Sequence, residues 1–173
     1  MRRKKRGLSG LFSDLTGAGA PGLGVGDTAP DLPLKLHTGE TVGLHDFVAR
    51  GPTVLYFYPK DETRGCTAEA CGFRDAYEDL QEAGAQVVGV SFDSAADHQA
   101  FAEHHRLPFP LATDDDRALL EGFGVPLVAF RVPGRVTFVL DTRARVHHVF
   151  NSQLGIHKHV QDALEVVRGL QQA

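Results

Sequence analysis

The sequence predicts an α/β domain with a central mixed sheet, flanking helices and an N-terminal β-hairpin. Three observations carry this reading. Two nearly continuous apolar runs, at 53–58 and 86–92, have the β-branched and aromatic character of strands buried on both faces. Segments of helical character follow each of them, and strands alternating with helices give a layered α/β domain. Two further apolar runs, at 135–140 and 146–150, flank the short turn Asp141-Thr-Arg-Ala144 and read as an antiparallel pair.

The elements follow in order. Residues 31–36 and 40–44 flank His37-Thr-Gly39 and form the hairpin. Thr53-Val-Leu-Tyr-Phe-Tyr58 is the first buried strand. A helix beginning at Cys66 itself is expected to run from about 67 to 83, closed by Gly84. The strand 86–92 leads to Ser94-Ala-Ala-Asp97, a capping box with Asp in the Glu position, and the helix it opens extends to His105, before Pro108. A short strand at 111–113 and a short helix at 117–123 precede the second hairpin. From 156 to 170, Val160, Ala163, Leu164, Val167 and Leu170 mark one helix face.

A chain of 173 residues suits one domain. We divide it into a basic extension, 1–22, and the domain proper, 23–173. Leu8, Leu11, Phe12 and Leu15 fit a short amphipathic helix in the extension, and 17–24 is a glycine-rich joint. The net charge is −4, and residues 2–6 carry +5, so the remainder carries about −9. An acidic body argues against nucleic acid as the main partner. No apolar run approaches the roughly 20 residues that span a bilayer, so no stable membrane insertion is expected. Ser9, Gly10, Ser13 and Asp14 interrupt the segment that a secretory signal would need to keep apolar, and the expected location is the cytoplasm. A two-cysteine chain there is redox-active more often than disulfide-stapled.

Both cysteines, Cys66 and Cys71, fall in one run from Tyr56 to Cys71. A thiol in the first turn of a helix faces unpaired N–H groups and the positive end of the macrodipole. Thr63 is placed to aim its hydroxyl at the sulfur. Lowering a thiol pKa from about 8.5 to about 6 needs roughly 3.4 kcal/mol, whereas a helix terminus contributes about 0.3–2 kcal/mol. A nearby cation, most naturally an arginine, is therefore required. Complete ionisation gains only about ten- to thirtyfold in reactivity. Greater acceleration needs donors aimed at the transition state, and Thr63, the backbone N–H groups at 65 and 66, and an arginine are available. If both cysteines share one regular helix, their Cα atoms are about 8.7 Å apart, beyond the ~7 Å that a disulfide tolerates. Bonding them requires the first turns of that helix to unwind.

The spacing Pro59-x-x-x-Thr63-x-x-Cys66 is similar to the peroxidatic motif of peroxiredoxins. Phe57-Tyr-Pro-Lys-Asp-Glu-Thr63 and Gly65-Cys-Thr-Ala-Glu-Ala-Cys-Gly-Phe-Arg-Asp75 resemble the Q-type, or bacterioferritin-comigratory, subgroup. So do Gly26-Asp-Thr-Ala-Pro-Asp31, Gly134-Arg-Val-Thr-Phe-Val-Leu-Asp141 and Val149-Phe-Asn-Ser-Gln-Leu154, so the resemblance covers roughly 25–170. It implies a thioredoxin-like fold and reduction of hydrogen peroxide and organic hydroperoxides. It also implies Cys66 as peroxidatic and Cys71 as resolving cysteine, joined in an intramolecular disulfide that thioredoxin or a similar dithiol reduces. Pro59 would shield and shape the pocket, Thr63 would bond sulfur and peroxide, and the active-site arginine falls on Arg135. No metal, haem or flavin is implied. Position 64, usually proline in the subgroup, is Arg64, which we expect to point to solvent. The apolar segment 125–133 suits a pocket mouth, core packing or a dimer contact equally.

Rival readings remain. A peroxide-responsive redox sensor would use the same disulfide switch without turnover. Nine histidines suggest a metal-binding or storage role, but His104-His105 and His147-His148 are adjacent pairs, and adjacent residues on a strand face opposite ways. His157 and His159 fall in a loop or helix start. A module tethered to membrane or nucleic acid would rest on the first six residues alone. A resolving cysteine in the same chain makes a monomer the default.

Overall fold

The computed structural model describes residues 22–172. The amphipathic helix expected at residues 8–15 lies outside the described residues. Strands β1 (Pro33–Lys35) and β2 (Thr41–Gly43) form the antiparallel hairpin, and the short helix α1 (Leu44–Val48) follows. Strand β3 (Thr53–Phe57) leads into α2 (Arg64–Asp75) and α3 (Tyr77–Glu82). Next come β4 (Gln86–Ser91), α4 (Ala95–His104), β5 (Leu111–Thr113) and α5 (Ala118–Phe123). A small hairpin, β6 (Leu127–Val128) and β7 (Val132–Pro133), precedes β8 (Val136–Leu140), β9 (Val146–Asn151) and α6 (Ile156–Gln171).

The five-stranded sheet has the order β5-β4-β3-β8-β9. β3 pairs in parallel with β4, and β4 with β5, while β8 runs antiparallel to both β3 and β9. The sheet is thus mixed: the strand–helix alternation gives its parallel pairs, and β8 with β3 and β9 its antiparallel ones. All five residues of β3 are buried, because side chains leaving both faces enter a core. Val54 and Tyr56 pack with Phe73, Leu80 and Val167 beneath the α2, α3 and α6 helices. Leu55 and Phe57 pack on the opposite face with Phe123, Phe138 and the first hairpin. Ser94 accepts the Asp97 backbone N–H, confirming the cap of α4.

Two boundaries differ from expectation. The helix holding the cysteines starts at Arg64, not at Cys66, which places Cys66 in the third helical position after Thr63. Arg64 occupies the first helical position, where a proline is favoured because the N–H goes unused; any residue without a strong helix penalty is tolerated there. It is exposed, as expected. The helix is also not continuous to residue 83. Ala76, at φ −88° and ψ −1°, separates α2 from α3. Phe73 stacks on Tyr56 with ring centres 4.6 Å apart, while Tyr77, beyond the break, meets Phe109 at 6.0 Å.

Segment 125–133 divides among the roles it was open to. Val125 and Pro133 are buried, and the residues between them form a hairpin tip whose Phe130 is 98% exposed at φ 63°.

Candidate active site

Cys66 sits at the C-terminal end of β3, where the chain leaves the sheet through Pro59–Thr63 and enters α2. The thiol is buried, whereas Cys71, on the same helix, is half-buried; both are free. Arg135 immediately precedes β8, the antiparallel neighbour of β3, and the pairing of Phe57 with Val136 brings the two strand ends together. Arg135 Nη2 donates to Cys66 Sγ at 3.4 Å. Its Nη1 donates to Glu69 Oε1 at 2.9 Å and its Nε to the Gln153 carbonyl at 3.2 Å. The guanidinium is thereby fixed on three sides, and Arg135 is only 5% exposed. Gly65 leaves it room, since a Cβ there would stand 2.9 Å from Nη2.

Burial works against the charge on Arg135, but Glu69 and Cys66 outweigh it, and its pKa stands above the ordinary value. Glu69 is pushed up to about 7 by burial, against the pull of Arg135. Its Oε2 is buried and has no hydrogen-bond partner. His159 Nδ1 is 3.7 Å from that oxygen, too far for a hydrogen bond. The ring is engaged elsewhere: Nε2 lies 2.7 Å from the Ser152 carbonyl and so donates to it, which leaves Nδ1 to accept from Thr137 Oγ1 at 2.8 Å. Burial also lowers the His159 pKa.

Thr63 departs from expectation. Its hydroxyl donates to the Lys60 carbonyl at 2.8 Å rather than aiming its proton at the sulfur, and it does not cap α2. The proton is spent on holding the loop, and the oxygen's lone pairs remain available to accept a hydrogen bond. Without a side-chain cap, the N–H groups of Gly65 and Cys66 stay open at the helix terminus. Pro59 and Thr63 line an open cavity of about 620 Å³ together with Lys60, Val128, Ala129, Phe130 and Val132. The hairpin tip therefore supplies one apolar wall of the pocket mouth.

The loop is anchored from below by groups that sequence reasoning missed. Tyr58 Oη donates to Asp61 Oδ1 at 2.5 Å, His98 Nδ1 lies 2.7 Å from Asp61 Oδ2, and the Asp61 N–H donates to Asp93 Oδ2 at 3.0 Å. Glu69, Thr137 and His159 were missed as well. The signal available for Glu69 was its place three residues after Cys66 on one helix, which turns it to the same face.

A buried thiol at a helix N-terminus with an arginine on its sulfur, carried on a thioredoxin-type sheet, defines a thiol-redox protein. Comparison with known proteins makes this specific. The AhpC/TSA family profile matches residues 25–149. Chloroplastic peroxiredoxin Q of Triticum aestivum is 45% identical over 146 residues, covering 84% of this chain and 67% of its own length. The crystal structure of peroxidoxin BcpB from Mycobacterium tuberculosis superposes with a TM-score of 0.78 at 36% identity, covering 84% of this chain and 97% of that one. A Xanthomonas campestris bacterioferritin comigratory protein, described for its alkyl peroxide reduction activity, superposes with a TM-score of 0.76 at 30% identity over 84% and 99% of the two chains. The chain belongs to the AhpC/TSA family, within its peroxiredoxin Q branch. It is a thiol-dependent peroxidase, an oxidoreductase acting on hydroperoxides.

Proposed function

We propose that Cys66 is the peroxidatic cysteine, that Cys71 resolves it within the same chain, and that thioredoxin or a similar dithiol protein recycles the disulfide. One observation carries this reading: of the two cysteines, Cys66 is the one that receives a guanidinium hydrogen bond, and Cys71 shares its helix. The Cys66 thiolate attacks the distal peroxide oxygen, the O–O bond breaks, and the leaving oxygen takes a proton to give water or an alcohol. Arg135 and the N–H groups at the start of α2 stabilise the charge that passes between the oxygens. Cys66 is left as a sulfenic acid, and the Cys71 thiol displaces water from it to form the disulfide. Exchange with an external dithiol then returns both thiols.

Both cysteines lie on α2, so the Cα separation set by helical geometry is about 8.7 Å. Closing the disulfide requires the first turns of α2 to unwind. The apolar wall from Val128 to Val132 supports organic hydroperoxides as substrates alongside hydrogen peroxide. A monomer working in the cytoplasm, where a dithiol reductant operates, completes the proposal.

The test is a stopped-flow reaction of reduced protein with one equivalent of hydrogen peroxide. Rapid loss of both thiols with loss of two hydrogens, about 2 Da, is expected. Cys66→Ser should abolish peroxide consumption, and Cys71→Ser should consume about one equivalent and then stall or over-oxidise. Continued turnover by Cys71→Ser would mean that resolution comes from outside the chain. Oxidation once, without turnover when thioredoxin is supplied, would favour the sensor.

A further inference from the structure

Among the described residues, two groups of histidine and carboxylate side chains converge closely enough to hold a metal ion. The first, Asp61, Asp93 and His98, is the anchor beneath the loop. Both Asp61 oxygens and Asp93 Oδ2 are already engaged by Tyr58, Ser91, His98 and a backbone N–H, so it serves as a structural clamp. The second, Glu62, His104 and His105, lies at the surface, and the mechanism gives it no role.

Adjacency of His104 and His105 argued against a metal site on the expectation that neighbours face opposite ways, as they do on a strand. Here the pair ends a helix. His104 is the last residue of α4 and His105 its cap, so the two side chains diverge by only about 100°. Both rings turn to one carboxylate. His104 Nδ1 is 2.9 Å from Glu62 Oε1, and His105 Nε2 is 3.1 Å from Glu62 Oε2. Glu62 reaches them from a left-handed backbone at φ 61°, a costly conformation for a residue with a side chain. Hydrogen bonds from the histidines, that of His104 first, hold the Glu62 pKa below its usual value.

We propose that Glu62, His104 and His105 bind a divalent late first-row transition ion, for which Zn²⁺ is the probe, and that occupancy holds the loop before Cys66 against unwinding. The second clause rests on the disulfide cycle proposed above. Two imidazoles and a carboxylate are the ligand types such ions select. Tetrahedral coordination at 2.0–2.2 Å sets neighbouring ligand atoms about 3.3 Å apart. Each ring nitrogen already stands 2.9 or 3.1 Å from one of the two Glu62 oxygens, and a single carboxylate oxygen with the two nitrogens forms a set whose atoms all lie within 4.8 Å of one another. Exposure of His104 and Glu62 leaves the remaining coordination position to water.

The position of the cluster gives the ion leverage. Glu62 directly precedes Thr63, the residue from which α2 starts, whereas the histidines belong to the end of α4. Arg74, further along α2, donates to the His105 carbonyl at 2.8 Å and ties that helix to the same point. An ion bound only when Glu62 keeps its folded position stabilises that position by mass action.

Binding is tested on the full chain carrying Cys66→Ser and Cys71→Ser, so that no thiol competes, titrated calorimetrically with zinc chloride. One equivalent should bind, and adding His104→Ala and His105→Ala should weaken binding at least tenfold. No binding, or undiminished binding by the histidine variant, would overturn the site. Coupling is tested with both cysteines present, as the rate of disulfide formation after one equivalent of peroxide. Zinc at about 100 times its Kd should slow the parent by up to roughly a hundredfold and spare the His104→Ala/His105→Ala variant. Equal slowing of both would assign the effect to thiol capture and overturn the coupling. Because binding is read on a chain that cannot turn over, failure of the site is distinguishable from failure of the disulfide cycle.

Discussion

Arg135 Nη2 lies 3.4 Å from Cys66 Sγ, although 69 residues separate the two in the chain. The same guanidinium grips Glu69 with its other arm, so its position is set independently of the sulfur. Removing it should cost more than charge. Arg135→Ala is expected to slow Cys66 oxidation by roughly 10²–10³-fold, more than the lost thiolate fraction explains. Stopped-flow oxidation rates compared with a thiolate titration of the same variant check this. Arg135→Lys, which keeps the charge but loses the fork, should recover only part of the rate. A loss that matched the thiolate fraction would remove Arg135 from transition-state stabilisation.

Gly65→Ala tests the same contact without removing any charged group. The added Cβ would stand 2.9 Å from Arg135 Nη2, so the guanidinium must shift. Helix propensity favours alanine by about 1 kcal/mol, and the fold should survive. The oxidation rate should fall at least tenfold, since loss of one well-placed donor costs about 10²–10³-fold. An unchanged rate would show that the exact placement of the arginine is unimportant.

Glu69 makes stability depend on pH. Its folded pKa of about 7 lies above the ordinary 4.5. The folded protein therefore holds a proton that the unfolded chain releases between these values. The associated stabilisation is complete below about 4.5 and is lost as pH rises through about 7. The span corresponds to an effect of about 3 kcal/mol at most. Urea unfolding at a series of pH values should show this decline, and Glu69→Gln should flatten it. An equally steep decline in the variant would place the titration elsewhere.

Phe130 is nearly fully exposed at the tip of the small hairpin, on the wall that faces Pro59 and Thr63. An exposed aromatic held at φ 63° is spent on something other than the core. Phe130→Ala should raise KM for cumene hydroperoxide by roughly 5- to 30-fold, equivalent to about 1–2 kcal/mol of apolar contact. Hydrogen peroxide turnover should stay the same. Equal effects on both substrates would make the residue structural.

Much of the molecule follows from local pattern. The apolar runs of β3, β4 and β8, the two main hairpins, the Ser94 cap and the face of α6 are properties of residues near in sequence, whose periodicity reports burial directly. Cys66 and Cys71 are five residues apart, so their sharing a helix was legible, and with it the need to unwind if a disulfide is to join them. The start of α2 was less so, because its first turn carries no apolar periodicity and its hydroxyl cap is turned away to Lys60.

What the sequence could not decide lies where separate segments meet. Nothing local to Arg135 distinguishes it from a surface arginine at a strand end; the register of β8 against β3 delivers it to the sulfur. Glu69 looks like an ordinary helix carboxylate until α6 and β8 bury it. The small hairpin reaches the pocket through a turn that periodicity does not mark, and His104 and His105 converge on Glu62 only because the loop after β3 crosses the end of α4. Sequence alone therefore determined most of the elements and singled out Cys66 as the candidate thiol, through local burial pattern and spacing. The tertiary structure decided the surroundings of that thiol, because hydrogen bonds and desolvation act over a few ångströms of space, whatever the distance along the chain.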